Sequence, residues 1–146
     1  MPINGYTPYY EGCKSLIISE ENGRKHIGEN PTGYQVTHYR VDGVIFVNET
    51  ACDYILINED ESKKIAYLIE LKGCRVDKAV EQLKATSDKL KTELKNYNLQ
   101  FRIVTSSSPS NKSRTNGIKA SSYKLMKIWE KNGQLKKGTR QIKESI

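Results

Sequence analysis

Asp53, Glu70 and Lys72 are the residues whose types and spacing could do chemistry. Glu70 and Lys72 lie in "IAYLIELKG", an otherwise apolar run, with only Leu71 between them. Successive side chains of a strand point to opposite faces, so Glu70 and Lys72 share one face and Leu71 takes the other. An unpaired buried charge costs several kcal/mol, so two charges on one face of an apolar strand need a reason. Upstream, "CDYILIN" reads as a second strand, joined to the first by the polar turn "EDESKK". Reflecting position 53 through a turn centred near Glu61 and Ser62 lands on position 70, which sets Asp53 across the ladder from Glu70. Directly opposed residues have Cβ atoms about 4.5–5.5 Å apart, and two carboxylates at that range repel.

A divalent cation between them would resolve the clash. Hard oxygen donors suit Mg²⁺ or Mn²⁺, and Mg²⁺ takes one or two protein carboxylates together with water and phosphate oxygens. A lysine on the same face can hold or deprotonate a water and counter charge on a phosphate. Asp, Glu and Lys around one metal would form a set able to hydrolyse a phosphodiester. A different reading of the same letters is a salt-bridge network at a sheet edge, with Lys72 paired to Glu70 and Asp53 at a solvated strand end. Spacing alone leaves both open.

The elements that must position these residues follow from periodicity. "KSLIISEENGRKHIG" reads as a hairpin turning at Asn22-Gly23, the dipeptide that best tolerates positive φ at both central positions. "YQVTHYRVDGVIFVN" is rich in β-branched and aromatic residues, with a turn or bulge signal at Asp42-Gly43. With "CDYILIN" and "IAYLIELKG" these make an antiparallel meander whose last two strands are apolar enough to be central. The period then changes. Apolar positions at 76, 79, 80, 83, 90, 94 and 97 trace one helical face from Val76 to about Tyr97, with Asp77 as N-cap and Lys84, Lys91 and Lys95 in later turns. "QFRIVTS" is a short strand and "IKASSYKLMKIWEKNG" a second amphipathic helix stopping at Gly133. The tail "QLKKGTRQIKESI" is ambiguous between a strand and a frayed end, and residues 1–30 contain no clear helix. Strands, helix, strand, helix predict an α/β fold, a mixed sheet flanked by helices.

The chain has 146 residues, a length that fits one domain, with a core over about 40–105 and a basic helix and tail over 106–146. Its longest apolar runs, such as "GVIFV" and "AYLI", are too short to cross a bilayer. "MPINGYTPYYEG" has neither the basic nor the apolar region of a secretory signal, so a cytoplasmic protein is expected. Cys13, Cys52 and Cys74 offer neither a disulfide framework nor zinc spacing. The net charge of +7 is uneven: residues 1–83 hold 9 Lys+Arg against 13 Asp+Glu, and residues 84–146 hold 15 against 4. A half that basic is either a solvated lysine-rich surface or a face for a polyanion such as nucleic acid. Candidate contacts are Lys84, Lys91, Lys112 and Arg114, the last two in the polar loop from Ser106 to Asn116. His26 and His38 lie in separate strands without partner spacing and read as ordinary histidines, and the nine tyrosines read mainly as packing.

An aspartate opening one strand, a hairpin, then "E-x-K" ending the next strand and a helix after it resembles the PD-(D/E)xK nuclease superfamily of restriction endonucleases, junction resolvases and exonuclease domains. The resemblance covers roughly residues 40–105 and implies a restriction-endonuclease-like core. It implies Asp53 and Glu70 as metal ligands and Lys72 as the group that positions or deprotonates the water. Gln82 in "VEQLKAT" matches a glutamine that some branches carry in the following helix, although the tyrosine four residues on is Thr86 here. Two further departures are Cys52 in place of the proline before the aspartate, and the missing N-terminal helix that often supplies another acid. Asp42 could supply a carboxylate from the preceding strand, against the simpler role of a turn aspartate before glycine.

The expected function is therefore a Mg²⁺- or Mn²⁺-dependent nuclease, with DNA favoured over RNA as partner and a homodimer compatible with cutting two strands. The competing expectations are a non-catalytic nucleic-acid- or protein-binding module on the same fold, and an assembly protein whose basic face meets an acidic partner.

Overall fold

The computed structural model describes residues 2–71, 75–106 and 119–146. In chain order the elements are β1 (Tyr10–Gly12), β2 (Leu16–Glu21), β3 (Arg24–Glu29), β4 (Val36–Arg40), β5 (Tyr54–Asn58), β6 (Ile65–Leu71), α1 (Val76–Lys89), β7 (Asn98–Thr105), α2 (Ala120–Lys131), β8 (Leu135–Thr139) and β9 (Gln141–Ser145). A six-stranded sheet has the order β1-β4-β5-β6-β7-β8, and a three-stranded sheet the order β2-β3-β9. The large sheet is antiparallel from β1 to β6 and parallel from β6 to β8, so the expected mixed α/β sheet is present. No helix among the described residues is long and apolar enough to cross a membrane.

Two apolar layers hold the sheet from opposite sides. Ile55, Ile57, Ala66 and Leu68 pack with Ala79, Val80 and Leu83 of α1 and with Met126 and Trp129 of α2. Leu56, Tyr67, Ile69 and Leu71 face the other way and pack with Ile17 of β2 and Ile142 of β9. Every residue of β5 is buried, and so is β6 from Ala66 onward, as expected of strands covered on both faces. The α2 layer is anchored by Trp129, whose ring stacks on Phe101 with centroids 3.8 Å apart.

The hairpin at Asn22-Gly23 forms as expected, with φ of 50° and 81° at its two central residues. Other expectations are corrected. The α1 helix ends at Lys89 rather than Tyr97; Leu90 and Leu94 remain buried, but successive turns carry them, so the periodicity reports the buried face and not the backbone conformation. Lys91 and Lys95 accordingly lie beyond the helix. Asp77 is not the N-cap: Arg75 takes that place, and Asp77 sits in the first turn, bound to the Arg75 guanidinium at 3.0 and 3.1 Å. The "GVIFVN" run is not strand. The Val41 carbonyl accepts amides from Val44, Ile45 and Phe46 after Gly43 turns at φ 80°, which curls the segment. The tail resolves into β8 and β9, and β9 pairs in parallel with β3.

Candidate active site

The register brings Asp53 and Glu70 together. The β5–β6 pairs run from Asn58↔Ile65 to Tyr54↔Ile69, and the Asp53 amide donates to the Ile69 carbonyl at 3.1 Å. One step further along this ladder, Asp53 faces Glu70. The alternation along β6 puts Glu70 with Ala66 and Leu68 on the helix face, where it is 1% exposed. Asp53 is half-buried at the start of β5, and the Leu71 amide donates to its Oδ2 at 2.8 Å. The two carboxyl groups lie within hydrogen-bonding reach of each other.

The α1 helix closes the helix-side wall. Oriented by its neighbours, the Gln82 amide nitrogen donates to Glu70 Oε2 at 2.8 Å and to the Lys78 carbonyl at 3.2 Å. One turn on, Thr86 Oγ1 accepts the Cys52 amide at 2.8 Å and donates to the Gln82 carbonyl at 2.9 Å. Helical spacing thus places Gln82 over Glu70 and Thr86 over the residue before Asp53. Thr86 is a positioning residue that ties the helix to the strand carrying the aspartate.

The electrostatics are those of crowded acids. Burial pushes the Asp53 carboxyl above its ordinary 3.8, and the charges of Glu21 and Asp42 push the same way, while the hydrogen bonds it accepts from the Leu71 amide and from Glu70 oppose them. Burial also pushes the Cys52 thiol up, with Glu70 and Asp53 adding to the shift, so this cysteine is no nucleophile. Asp42 is an exposed turn residue at the rim, its amide donating to the Cys52 carbonyl at 3.1 Å. Sequence reasoning missed Glu21 and Arg24. Both flank the Asn22-Gly23 turn, which is evident in the sequence, but the end of the sheet that the turn reaches depends on a long-range packing without a local signal. The Arg24 Nε donates to the Leu71 carbonyl at 3.0 Å.

Other candidates fall elsewhere. Lys84 lies two residues after Gln82, roughly 200° around the helix, and pairs with Asp88 at 2.8 Å on the solvent side. Lys91 is exposed in the turn after α1. Lys72, Lys112, Arg114 and nearly all of the Ser106–Asn116 loop lie outside the described residues. Both histidines are buried and partnered: His26 Nε2 meets Glu144 at 2.7 Å, and His38 Nε2 meets the Ser19 hydroxyl at 2.8 Å.

Among the described residues no group of three or more His, Cys, Asp or Glu side chains converges as a metal-ligand set. The pair that does converge is all hard oxygen, and two carboxylates are what Mg²⁺ or Mn²⁺ takes when water and phosphate oxygens complete the coordination. The donor set therefore fits such an ion. No family model, no curated protein and no solved structure matches the chain.

Proposed function

We propose that the chain is a metal-dependent nuclease of restriction-endonuclease-like type, hydrolysing phosphodiester bonds of nucleic acid, with DNA favoured as substrate. One observation carries the reading: two carboxylates, Asp53 and Glu70, are brought into contact at the end of a central strand pair, with Gln82 bound to one of them. A sheet gains nothing in stability from opposed acids, since like charges directly across a ladder destabilise it.

Asp53 and Glu70 would hold a Mg²⁺ or Mn²⁺. Such an ion, when bound, supplies positive charge to the phosphodiester and acidity to a water. The rest is the work of the chain. The Leu71 amide pins one oxygen of Asp53, and the Gln82 amide fixes the orientation of Glu70, so both carboxylates are pre-set rather than mobile. The burial of Glu70 keeps bulk water from screening the pair. Lys72, next after Leu71 in the chain, is assigned by the resemblance to hold the attacking water or take its proton.

The test is cleavage of labelled single- and double-stranded DNA and RNA by wild type and Glu70→Ala, each with Mg²⁺, with Mn²⁺ and with chelator. Metal-dependent cleavage that is lost in Glu70→Ala is the expected result and also names the substrate. Folded protein that binds nucleic acid but cuts none of the four would replace this reading with the non-catalytic module.

A further inference from the structure

The described residues include five arginines, and three are neutralised by carboxylates: Arg40 by Glu21 at 3.1 Å, Arg75 by Asp77 at 3.0 Å and Arg102 by Glu144 at 2.6 Å. Arg24 and Arg140 have no carboxylate within 4.0 Å among the described residues. Both stand at the end of the sheet that carries Asp53 and Glu70. Arg24 opens β3 just after the hairpin turn, and its Nε is held by the Leu71 carbonyl at 3.0 Å. The amide of that same Leu71 holds Asp53. Arg140 is the single residue between β8 and β9, where the chain passes from the large sheet to the small one.

Backbone hydrogen bonds lock the two arginines side by side. The Arg140 amide donates to the carbonyl of Thr105, the last residue of β7, and the Arg140 carbonyl accepts the amide of Lys25, the residue after Arg24, at 3.0 Å. Arg140 has φ 67°, a left-handed conformation that side-chain-bearing residues adopt at a cost and keep only where their surroundings impose it. β6, β7 and β8 run in parallel and end at this place, so the cations lie at the carboxyl ends of the parallel strands. Ligands of open α/β sheets bind at that end.

We propose that Arg24 and Arg140 form a phosphate fork, gripping the backbone of a nucleic-acid strand beside the bond presented to Asp53 and Glu70. The guanidinium is suited to this, since its planar donors bind phosphate oxygens two at a time and it never loses its charge. With Nε tied to Leu71, Arg24 reaches a phosphate through its terminal nitrogens. The fork gives an acidic site a way to hold a polyanion, since the arginines and the carboxylates stand at the same end of the sheet, joined through Leu71. The identity of the ligand rests on the nuclease reading; the placement of the two arginines does not.

The test is fluorescence anisotropy of labelled single- and double-stranded DNA in chelator, across a series of KCl concentrations, for wild type, Arg24→Gln, Arg140→Gln, the double variant and both lysine replacements. Each lost phosphate contact should lower the slope of log affinity against log salt by about 0.7–0.9. The double variant is expected to lose roughly tenfold in affinity at low salt, equally for unrelated sequences, as loss of phosphate contacts dictates. The lysine variants should keep the slope and lose part of the affinity. If Arg24→Gln melts early through loss of its bond to Leu71, Arg140→Gln decides the matter, because its side chain makes no hydrogen bond or ion pair among the described residues. A folded double variant with wild-type slope and affinity overturns the fork, as does wild type that binds no nucleic acid. If wild type cuts with Mg²⁺ while the double variant binds unchanged, the fork falls and the nuclease stands. If binding depends on the fork but no metal supports cleavage, the fork stands and the nuclease falls.

Discussion

Two half-buried carboxylates occupy opposite situations in this fold. Glu144 of β9 accepts His26 Nε2 at 2.7 Å and both Nε and Nη2 of Arg102 at 2.6 and 3.0 Å, and the Arg102 guanidinium lies over the Tyr67 ring. Burial alone would push this carboxyl up, but the bonds from His26 and Arg102 outweigh it and hold Glu144 at about 2. Asp53 meets burial too, but the charges of Glu21 and Asp42 add to it, and its carboxyl stays raised against the hydrogen bonds from the Leu71 amide and Glu70. The sign of the partners makes the difference. Glu144 is satisfied within the chain, and its bonds join β9 to β3 and β7. Asp53 sits among acids, and the groups that oppose its raised carboxyl are the Leu71 amide and Glu70. Strong pKa perturbation marks functional sites and structural ion pairs alike.

The largest effect should come from neutralising the acidic pair. Glu70→Gln and Asp53→Asn are expected to reduce cleavage by at least about 100-fold, since even outer partners of metal ligands contribute 10–100-fold. Neither should lower the melting temperature much in chelator, because each amide keeps the size and hydrogen-bonding capacity of the carboxyl it replaces. A variant that loses its fold along with its activity would make the pair structural and erase the contrast with Glu144. On the other side, Arg102→Met leaves Glu144 with His26 and, at 4.0 Å, the exposed Lys136. Breaking a buried ion pair by removing one partner costs about 3–5 kcal/mol, to be read as a drop in the urea midpoint with unchanged slope. A loss under about 1 kcal/mol, the scale of an exposed pair, would show that the triad is as weak as a surface bridge.

The pH dependence should have opposite signs at the two places. The folded-state value of Glu144 lies below its ordinary 4.5, so its contribution is fully present above about 4.5 and lost as pH falls towards about 2. After solvent screening the contribution is on the order of 2 kcal/mol, and Glu144→Gln should remove that acid-side slope. The folded-state value of Asp53 lies above 3.8, so its folded form holds a proton that the unfolded chain releases. That contribution is present below 3.8 and is lost as pH rises through the raised value. Urea titrations of wild type, Glu144→Gln and Asp53→Asn from pH 2 to 7 separate the two. Slopes of the same sign in both variants would contradict the contrast.

The acidic side of this comparison is legible in the sequence, and the cationic side is not. A two-residue alternation and a symmetric polar turn suffice to set Asp53 opposite Glu70, because hairpin register is local. Gln82 is found by its place in the helix after the strand. Glu144 is invisible: its partners are 118 and 42 residues away, reached through a parallel pairing of β9 with β3 that no short pattern encodes. Arg24 and Arg140 are hidden for the same reason, each sitting at a turn whose location depends on how the small sheet packs on the large one. The basic half is visible as composition, but composition does not say which cations the fold has already paired.

Lys84 gives the smallest effect and draws the boundary of the comparison. Charge and position make it a natural candidate for a nucleic-acid contact. In the fold it pairs with Asp88 at i,i+4, both side chains more than half exposed, on the solvent side of the helix whose Gln82 reaches Glu70. Exposed pairs of this kind contribute about 0.3–0.5 kcal/mol, and salt screens them. Lys84→Ala should therefore shift the urea midpoint barely at low salt and not at all at high salt. Its anisotropy titration with DNA should overlay wild type, because the strand is expected to pass the turn end of the sheet and not the outer face of α1. A Lys84→Ala variant that lost as much salt slope as the Arg24 and Arg140 pair would move the polyanion onto the helix. The carboxylates would then be approached from the side of Gln82, and the arginines at the turns would need another occupant.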